Sequence, residues 1–365
     1  WAQRSSNAYA SCWKIPAFCS YDGEIFDRIG RQKQNMSCTT YLETGSFDPC
    51  FNLAFEEFVL CNRTEGDYLL LWQNRNTVVV GRNQNTEEEI NRPFVSRHRI
   101  HVVRRMTGGG AVYHDLGNLN YSLITDAPDA ERISMERFTL PVVNALRGLG
   151  LDAEASGRND ILVSGRKVSG TAQRLYRDRI LHHGTLLFDS DPEMIAGALC
   201  ADPEKFRSKS TKSVRSRVGN IRSFLPTDMT LEQFWGYLKS CLCENGFETG
   251  ELDKQELNRI RGLKREKYDT WEWNYGKSPK YDMTNRRRWS GGGLEVRAQI
   301  EEGRICALVF YGDFLAMRPL EDITSALEGC LMRREDVAAV LDGFPLNEYF
   351  GGISRQELLD TIFSA

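Results

Sequence analysis

The strongest constraint on the fold of this chain is a run of three glycines, Gly108, Gly109 and Gly110. Residues 99–104 and 111–113 on either side of it have the composition of short strands, so the sequence predicts two strands joined by the run. Consecutive glycines adopt dihedral angles closed to other residues and let a ligand approach the backbone. Their N–H groups can form a cup that binds an anion. The run therefore predicts either an anion site or a tight hairpin.

Two arginines, Arg104 and Arg105, stand just before the glycine run. Side chains of a strand alternate between its two faces, so only one of the two arginines is expected to point into a site. An arginine fork suits a phosphate or a carboxylate. The run is not a P-loop of the Walker A type, because no Gly-Lys-Ser/Thr follows it, and it does not contain the GxGxxG fingerprint of dinucleotide-binding folds.

A second group of polar residues surrounds Lys167, which begins a segment of small and apolar residues. A lysine ammonium suits the negative charge that develops on a phosphoryl group. Upstream, Asp160 is a candidate metal ligand and Asn159 a candidate hydrogen-bond partner for a substrate. Spacing alone also allows Lys167 to be an ordinary surface lysine at a turn.

The composition narrows the class of protein. The chain has 365 residues, enough for two domains, and its 41% hydrophobic and 27% charged residues are typical of a soluble globular protein. The net charge of −3 gives no general attraction for nucleic acid or for an anionic membrane. The ten cysteines are scattered without a CxxC pair, which indicates reduced thiols in a cytoplasmic protein.

The N-terminal residues 1–35 are expected to lie outside the fold. They contain no uninterrupted apolar segment of the kind that secretory signals have, and no apolar run in the chain is long enough to span a membrane. Met36 directly precedes the first strand-like segment, so we expect that translation could start there.

From residue 39 onward, short β-rich segments alternate with helical periodicities, which predicts an α+β fold. A large domain of mixed sheets flanked by helices is expected over residues 36–248, and a small α+β domain over 249–365. Residues 246–250 are predicted to be the linker. Strands are predicted at 41–43, 68–72, 78–80, 119–124, 160–163, 167–171, 181–188, 295–300 and 305–310; helices are predicted at 51–62, 134–146, 192–199, 231–242, 253–267, 321–331 and 335–341.

Other polar motifs carry weaker signals. His182 and His183 are adjacent on a strand and point to opposite faces, so a shared metal is not expected, and one of them is expected to form hydrogen bonds in the core or a pocket. No GxSxG elbow accompanies the His114-Asp115 pair. The arginines of residues 213–218 could meet phosphates or an acidic partner, or could be solvated. The aromatic residues of 271–276 are expected to form a packed corner rather than a platform for nucleic acid.

Taken in order along the chain, nine segments resemble lipoate–protein ligases. The resemblance runs from about residue 39 into the C-terminal part, which matches more loosely, and it does not cover residues 1–35. The segments are residues 48–54, 71–74, 80–85, 104–118, 157–160, 167–172, 182–187, 213–218 and 271–276.

The resemblance implies a fold like that of biotinyl and lipoyl ligases, with a C-terminal accessory domain. It implies that ATP and Mg²⁺ convert lipoate to lipoyl-AMP, whose lipoyl group is then transferred to a lysine of a lipoyl carrier domain. The implied carriers are the E2 subunits of 2-oxoacid dehydrogenases and the glycine cleavage H protein. A cytoplasmic monomer is expected, with neither a nucleic acid nor a membrane as partner.

The resemblance also assigns residues to roles. Lys167 is implied to be catalytic, contacting both the lipoate carboxyl group and the adenylate phosphate, and Asp160 is the candidate Mg²⁺ ligand. The implied contacts to ATP or lipoyl-AMP are Arg105, Gly109, Gly110, Ala111, Val112, Tyr113, Asn159, Asp160 and Lys167. The implied contacts to lipoate are Trp72, Val80, Gly81, Arg105, His114, Lys167, Ser169 and Gly170.

Two alternatives stay open at this point. A lipoyl- or octanoyltransferase of the same fold would lack the adenylation step, and some such enzymes use a cysteine nucleophile. Here Thr171 stands after the lysine motif, and Cys50 and Cys61 on the first helix give no case for a nucleophile. A transferase that starts from ready-made acyl-adenylate is harder to exclude. The second alternative, a non-catalytic sensor of lipoate or nucleotide, is disfavoured by the intact Lys167.

Overall fold

A computed structural model describes residues 38–127, 134–157, 159–199, 218–243, 246–275, 283–301 and 303–363. All of the described residues belong to one compact unit. The expectations for residues 1–35 and for the arginines of residues 213–217 lie outside the described residues. Within the described part of the chain, no helix combines the length and the apolar character needed to cross a membrane.

The first part of the chain contributes most of the strands. Its elements, in order, are β1 (Thr39–Glu43), α1 (Pro49–Asn62), β2 (Tyr68–Trp72), β3 (Thr77–Val80), α2 (Thr86–Glu89), α3 (Arg92–Arg97), β4 (His101–Arg104), β5 (Val112–His114), β6 (Asn118–Asp126), α4 (Met135–Gly148), β7 (Ala153–Ser156), β8 (Asp160–Val163), β9 (Arg166–Tyr176), β10 (Arg179–Leu187) and α5 (Pro192–Ala198).

The second part is richer in helices. A 3₁₀ turn, Ile221–Phe224, is followed by α6 (Leu231–Leu242), β11 (Phe247–Thr249), α7 (Lys254–Leu263) with a π-helical turn at Lys264–Tyr268, α8 (Trp271–Asn274), β12 (Met283–Trp289), β13 (Gly292–Glu301), β14 (Arg304–Gly312), α9 (Glu321–Leu327), α10 (Arg334–Leu341), α11 (Leu346–Phe350) and α12 (Arg355–Ile362).

The main sheet has eight strands in the order β11-β1-β2-β6-β10-β9-β8-β7. Strand β1 runs parallel to both of its neighbours, and the other pairs are antiparallel. A second sheet has the order β4-β3-β5 and is also mixed. These sheets and their flanking helices confirm the predicted α+β class with mixed sheets.

Helix α1 begins at Pro49, two residues before the predicted start at residue 51. The side chain of Asp48 accepts hydrogen bonds from the N–H groups of Cys50 and Phe51, and Pro49 occupies the first turn, where its missing N–H costs nothing. Most of the helix is buried, including Leu53 and Phe55. One buried residue is an acid, Glu56, with 0% of its surface exposed.

The C-terminal part has a core of its own. Strands β12, β13 and β14 form an antiparallel sheet. The strands predicted at 295–300 and 305–310 form a hairpin that turns at Gly303, whose φ of +75° favours glycine. Helices α9 and α12 pack on this sheet, and α10 packs on both of these helices. The buried residues of this core include Val296, Phe310, Ile323, Leu341 and Leu358.

The prediction that residues 246–250 form a linker is wrong, because part of this segment is a strand. Residues 247–249 form strand β11, which pairs with β1 at one end of the main sheet. The next helix, α7, packs on α1, where Ile260 and Tyr268 join the core around Phe55. Residues 254–268 therefore contact the larger part of the chain. The domain boundary at 248/249 stays a prediction, and these contacts favour a boundary further along the chain.

Candidate functional site

A cavity lies between the main sheet and the small sheet β4-β3-β5. Its floor crosses four neighbouring strands, from β9 through β10 and β6 to β2, so it runs perpendicular to them for about 14 Å at the usual strand spacing. Strands β3 and β5 and the glycine run form its roof. The lining residues are Leu53, Trp72, Val79, Arg105, Gly110, Ala111, Val112, His114, Asn120, Asn159, Lys167, Gly170, Thr171, Ala172, His183, Gly184 and Thr185.

One end of the cavity is charged. The Nζ atom of Lys167 lies 2.7 Å from Oδ1 of Asp160, and about a third of each side chain is exposed (37% and 34%). A Cβ atom on Gly170 would lie only 3.2 Å from this Nζ, so the absence of a side chain there gives the ammonium room. This end therefore presents a solvent-accessible cation beside a carboxylate.

A β-bulge brings these residues to one face. Strand β9 pairs Gly170 with Asp160 and Ser169 with Ile161, but then Lys167 with Leu162, so Val168 is an extra residue in the ladder. Because Asp160 and Leu162 share a face of β8, Lys167 and Gly170 share that face too. Without the bulge, residues three apart on a strand would point to opposite faces.

Asn159 is fixed to the same end of the cavity. Its side-chain amide donates to the backbone carbonyl of Thr171 at 2.8 Å, and its backbone carbonyl accepts from the backbone N–H of Thr171, also at 2.8 Å. The side chain of Asn159 lines the cavity wall. It is therefore held in position before any ligand arrives.

The guanidinium of Arg105 is buried beneath the glycine run. Its Nη2 donates to the carbonyls of Gly108 (2.7 Å) and Gly110 (2.9 Å), its Nη1 to the carbonyl of Val79, and its Nε to the hydroxyl of Thr107. Burial lowers the pKa of Arg105 to about 10, which leaves it charged at neutral pH. The guanidinium that was predicted to hold a ligand thus mainly shapes the loop, and one Nη1 hydrogen has no partner among the described residues.

Arg104 points the other way, as strand alternation predicts. Its guanidinium donates to the carbonyls of Gly81, Arg82 and Gln84, and its backbone N–H donates to the side chain of Asn274. The indole of Trp273 donates to the carbonyl of Arg104. The aromatic segment thus forms a packed corner around Arg104, as expected.

Close backbone contacts hold the glycine run on both sides. A Cβ atom on Gly81 would lie 2.0 Å from the carbonyl oxygen of Gly109, so only glycine fits there. The N–H of Gly109 donates to the carbonyl of Phe314 at 3.1 Å, with φ at +89°. A Cβ atom on Gly108 would lie 2.7 Å from the backbone nitrogen of Ala316. Gly110, by contrast, has open space around it and faces the cavity.

The opposite end of the cavity is apolar and sealed. Trp72 is 4% exposed, and its indole N–H donates to the hydroxyl of Ser122 at 2.9 Å. The ring of His114 meets it edge to face, with centroids 6.4 Å apart. Burial and then the nearby charge of Arg105 lower the pKa of His114 to about 3, so its imidazole is neutral. This end suits an uncharged, compact group.

Several predicted contacts do not line the cavity. Strand alternation turns Val80 and Tyr113 away, into a small core behind the roof, and brings Val79, Val112 and His114 to the cavity instead. Ser169 is buried on the far side of the bulged strand. Gly81 and Gly109 support the loop from behind. Asp160 does not line the cavity but forms an ion pair with Lys167, which does. The other predicted residues line the cavity together: Trp72, Arg105, Gly110, Ala111, Val112, His114, Asn159, Lys167 and Gly170.

The predicted contacts did not include the lining residues Asn120, Thr171 and Thr185, or a hydrogen-bonded group of three polar residues at the site. His183 lines the floor, while Glu56 and Thr107 lie directly behind the wall and bond to its ring. The expectation that one of the two histidines forms hydrogen bonds in the core or a pocket is confirmed by His183 at the cavity, while His182 stacks on Phe138 in the core. The sequence signal that could have pointed to this group was an acidic residue, Glu56, in a helix that is otherwise largely apolar.

The described residues contain no group of three or more histidines, cysteines or acids able to hold a metal ion by themselves. Asp160 is a single carboxylate at the charged end. Mg²⁺ commonly binds through one or two carboxylates and the phosphates of a substrate. The residues present therefore fit a metal ion that arrives with a nucleotide.

Fold and site together define a protein with a long cavity that is cationic and glycine-lined at one end and closed at the other. Residues 48–242 match the family model described as lipoyl protein ligase A/B catalytic domain. Residues 278–362 match the model of the bacterial lipoate protein ligase C-terminus. The lipoate-protein ligase LplJ of Bacillus subtilis (strain 168) is 41% identical over 325 residues, which are 87% of this chain and 97% of that relative. This chain belongs to the lipoate–protein ligase family.

Solved structures agree with the fold. LipL1 of P. falciparum in complex with lipoate superimposes with a TM-score of 0.74 at 24% identity, over 88% of this chain and 97% of that one. A bipartite lipoate protein ligase with its E2 lipoyl domain from Thermoplasma acidophilum gives 0.59 at 32% identity, over 68% and 100%. A lipoate-protein ligase A bound with ATP gives 0.57 at 28% identity, over 66% and 98%.

Proposed function

We propose that this protein is an ATP-dependent lipoate–protein ligase, which converts lipoate and ATP to lipoyl-AMP and pyrophosphate and then lipoylates a lysine of a carrier domain. The observation that carries the proposal is the cavity itself, with Lys167 at its open end and Trp72 at its closed end. A pocket that is largely apolar with a few convergent polar groups is typical of a small-molecule site. The names of the relatives supply lipoate as the acid.

In the first step, an oxygen of the lipoate carboxylate attacks the α-phosphorus of ATP, and pyrophosphate leaves with the electron pair of the broken P–O bond. Lys167 contacts the carboxylate and the α-phosphate together and offsets the charge that builds up between them. Because the ion pair with Asp160 is partly exposed, the Lys167 ammonium can exchange this carboxylate for phosphate oxygens. Asn159 is fixed at the same wall to orient the nucleotide.

The glycine run contributes backbone rather than side chains. Gly110 and Ala111 line the cavity, where no side chain beyond a methyl group obstructs a phosphate. The buried charge of Arg105 lies directly behind this backbone and raises the local positive potential. These groups therefore favour an anion at the head of the slot.

A Mg²⁺ ion, when bound, would offset phosphate charge, and Asp160 is the residue that would hold it. The other groups of the site bind and orient the substrates without it. Lys167 and Asp160 are the two residues whose pairing would change when a metal and a nucleotide arrive together.

In the second step, the amine nitrogen of the carrier lysine attacks the carbonyl carbon of lipoyl-AMP. AMP leaves as the C–O bond breaks, and the nitrogen loses a proton to give the amide. The charged end is partly open, so a lysine side chain can enter there. We propose E2 subunits of 2-oxoacid dehydrogenases and the glycine cleavage H protein as carriers, and a cytoplasmic monomer as the working form.

Pyrophosphate release on mixing the protein with lipoate and Mg-ATP tests the adenylation step. Release that requires lipoate supports the ligase. A protein that releases no pyrophosphate but transfers the lipoyl group from supplied lipoyl-AMP would be a transferase. One that binds lipoate without either activity would be a sensor.

A further inference from the structure

A buried acid, Glu56, lies behind the wall of the cavity and receives two hydrogen bonds. The hydroxyl of Ser122 donates to its Oε1 at 2.6 Å, and Nδ1 of His183 donates to the same oxygen at 2.9 Å. Ser122 itself accepts from the indole of Trp72. No part of Glu56 is exposed, and it does not line the cavity. Its position is therefore that of a residue acting through its neighbours.

The chain of hydrogen bonds continues from His183 to the glycine run. Since Nδ1 of His183 donates to the carboxylate, its Nε2 is assigned as the acceptor of the hydroxyl hydrogen of Thr107, 2.7 Å away. The oxygen of Thr107 in turn accepts from Nε of Arg105 at 3.0 Å. Each donor thus points along one path from Arg105 through Thr107 and His183 to Glu56.

This path joins two opposite buried charges. Arg105 is buried and its guanidinium holds the carbonyls of Gly108 and Gly110. The negative charge of Glu56 opposes the decrease that burial causes in the pKa of Arg105. A buried cation without a counter-charge is costly, and removal of one partner of such a pair leaves the other uncompensated. Glu56 is therefore suited to keep Arg105 charged and in one orientation.

We propose that Glu56 is a positioning residue for adenylation, which orients Arg105 and the glycine run through His183 and Thr107. The proposal rests on the ligase function proposed above. It extends that function to a residue that touches neither lipoate nor nucleotide. The consequence is that Glu56 affects the rate of the nucleotide step more than it affects the binding of lipoate.

The primary test is Glu56→Gln, which keeps the size of the side chain and removes its charge. We expect kcat for lipoate-dependent pyrophosphate release to fall by about 10–100-fold, because loss of orientation around the reacting groups costs rates of this order. The dissociation constant of lipoate, measured by calorimetry, is expected to change by less than about 3-fold, because the apolar end of the slot stays intact. Glu56→Asp, which keeps the charge, is expected to recover part of kcat.

A neighbouring acid provides the matched control. Glu57 accepts hydrogen bonds from Lys267 and from Tyr268 and has no contact with the path. Glu57→Gln therefore removes a charge from the same helix without disturbing Arg105. We expect kcat of this variant to stay within about 2-fold of the unmodified protein, since a site without shared partners acts independently.

A second set of variants tests the path itself. Thr107→Val keeps the shape of the side chain and removes the hydroxyl, whereas Thr107→Ser retains it. We expect Thr107→Val to lower kcat as Glu56→Gln does and Thr107→Ser to stay near the unmodified value. Since both changes interrupt one path, the double variant Glu56→Gln/Thr107→Val is expected to lose less than the product of the two single losses.

The outcomes separate this proposal from the function on which it rests. If the unmodified protein releases no pyrophosphate, the proposed ligase function fails. If it is active and Glu56→Gln folds with unchanged kcat, or if the two losses multiply, Glu56 is not a positioning residue. A rise in the lipoate dissociation constant with kcat unchanged would assign Glu56 to the slot alone and would also overturn the proposal.

Discussion

The two ends of the cavity differ in both charge and exposure. At one end, Lys167 and Asp160 form an ion pair that is about one-third exposed to solvent. At the other, Trp72 and His114 are nearly closed off, and the imidazole is neutral. A charged end open to solvent is accessible to ATP and to a carrier lysine, while a dry end can select the shape of the acid. The difference predicts that substitutions at the open end change the rate, and substitutions at the closed end change substrate binding.

The largest effect is expected at the open end. Lys167→Ala removes the cation that offsets charge at the α-phosphorus, and we expect kcat for pyrophosphate release to fall by about 10³-fold, as for the loss of a charge-stabilising donor. The side chain is partly exposed, so the fold is expected to remain intact. The measurements are pyrophosphate release and circular dichroism at increasing temperature.

Lys167→Arg is the matched control, because it keeps the charge but changes the shape of the cation. We expect it to retain more activity than Lys167→Ala and less than the unmodified protein. Near-normal turnover of Lys167→Ala would show that the open end is not where the chemistry takes place.

A smaller effect is expected at the closed end. Trp72→Phe keeps an aromatic ring but loses the hydrogen bond to Ser122 and some of the packed surface. We expect KM for lipoate to rise by about 3–10-fold with kcat nearly unchanged, since the lost contacts are ordinary binding contacts. A fall in kcat with KM unchanged would reverse the division between the two ends.

The smallest effect is expected away from both ends. Nη2 of Arg82 lies 2.5 Å from Oε1 of Glu321 in helix α9, and 65% of the Glu321 side chain is exposed. Glu321→Gln is expected to lower the melting temperature by about 2 °C or less, because exposed ion pairs contribute little. Calorimetry measures this shift, and pyrophosphate release should stay unchanged. A large loss of activity would mean that this contact also supports the site.

The sequence was most informative where local rules decide the structure. Asp48 and Pro49 start helix α1 through capping, which needs no knowledge of the rest of the chain. The hairpin at Gly303 and the opposite directions of Arg104 and Arg105 follow in the same way from turn geometry and strand alternation. Lys167, Asp160 and the glycine run lie at one cavity, although the chemistry assigned to them came from the family resemblance.

The sequence was less informative where distant contacts decide the structure. The β-bulge at Val168 has no local signature, yet it aligns Lys167 with Asp160. Which of Val79 and Val80 faces the cavity depends on how the small sheet lies over the large one. Glu56 was overlooked because its partners, Ser122 and His183, are 66 and 127 residues away in the chain.

The pairing of β11 with β1 has a consequence for the synthesis of this protein. Thr39 is opposite Phe247 in the parallel ladder, so one side of β1 lacks its native partner until more than two hundred further residues have been made. A long-range parallel pairing of this kind is slow to form. As the chain emerges from the ribosome, the edge of β1 is thus open to other strands for many seconds. Co-translational folding of the main sheet can finish only after residue 249 has left the exit tunnel.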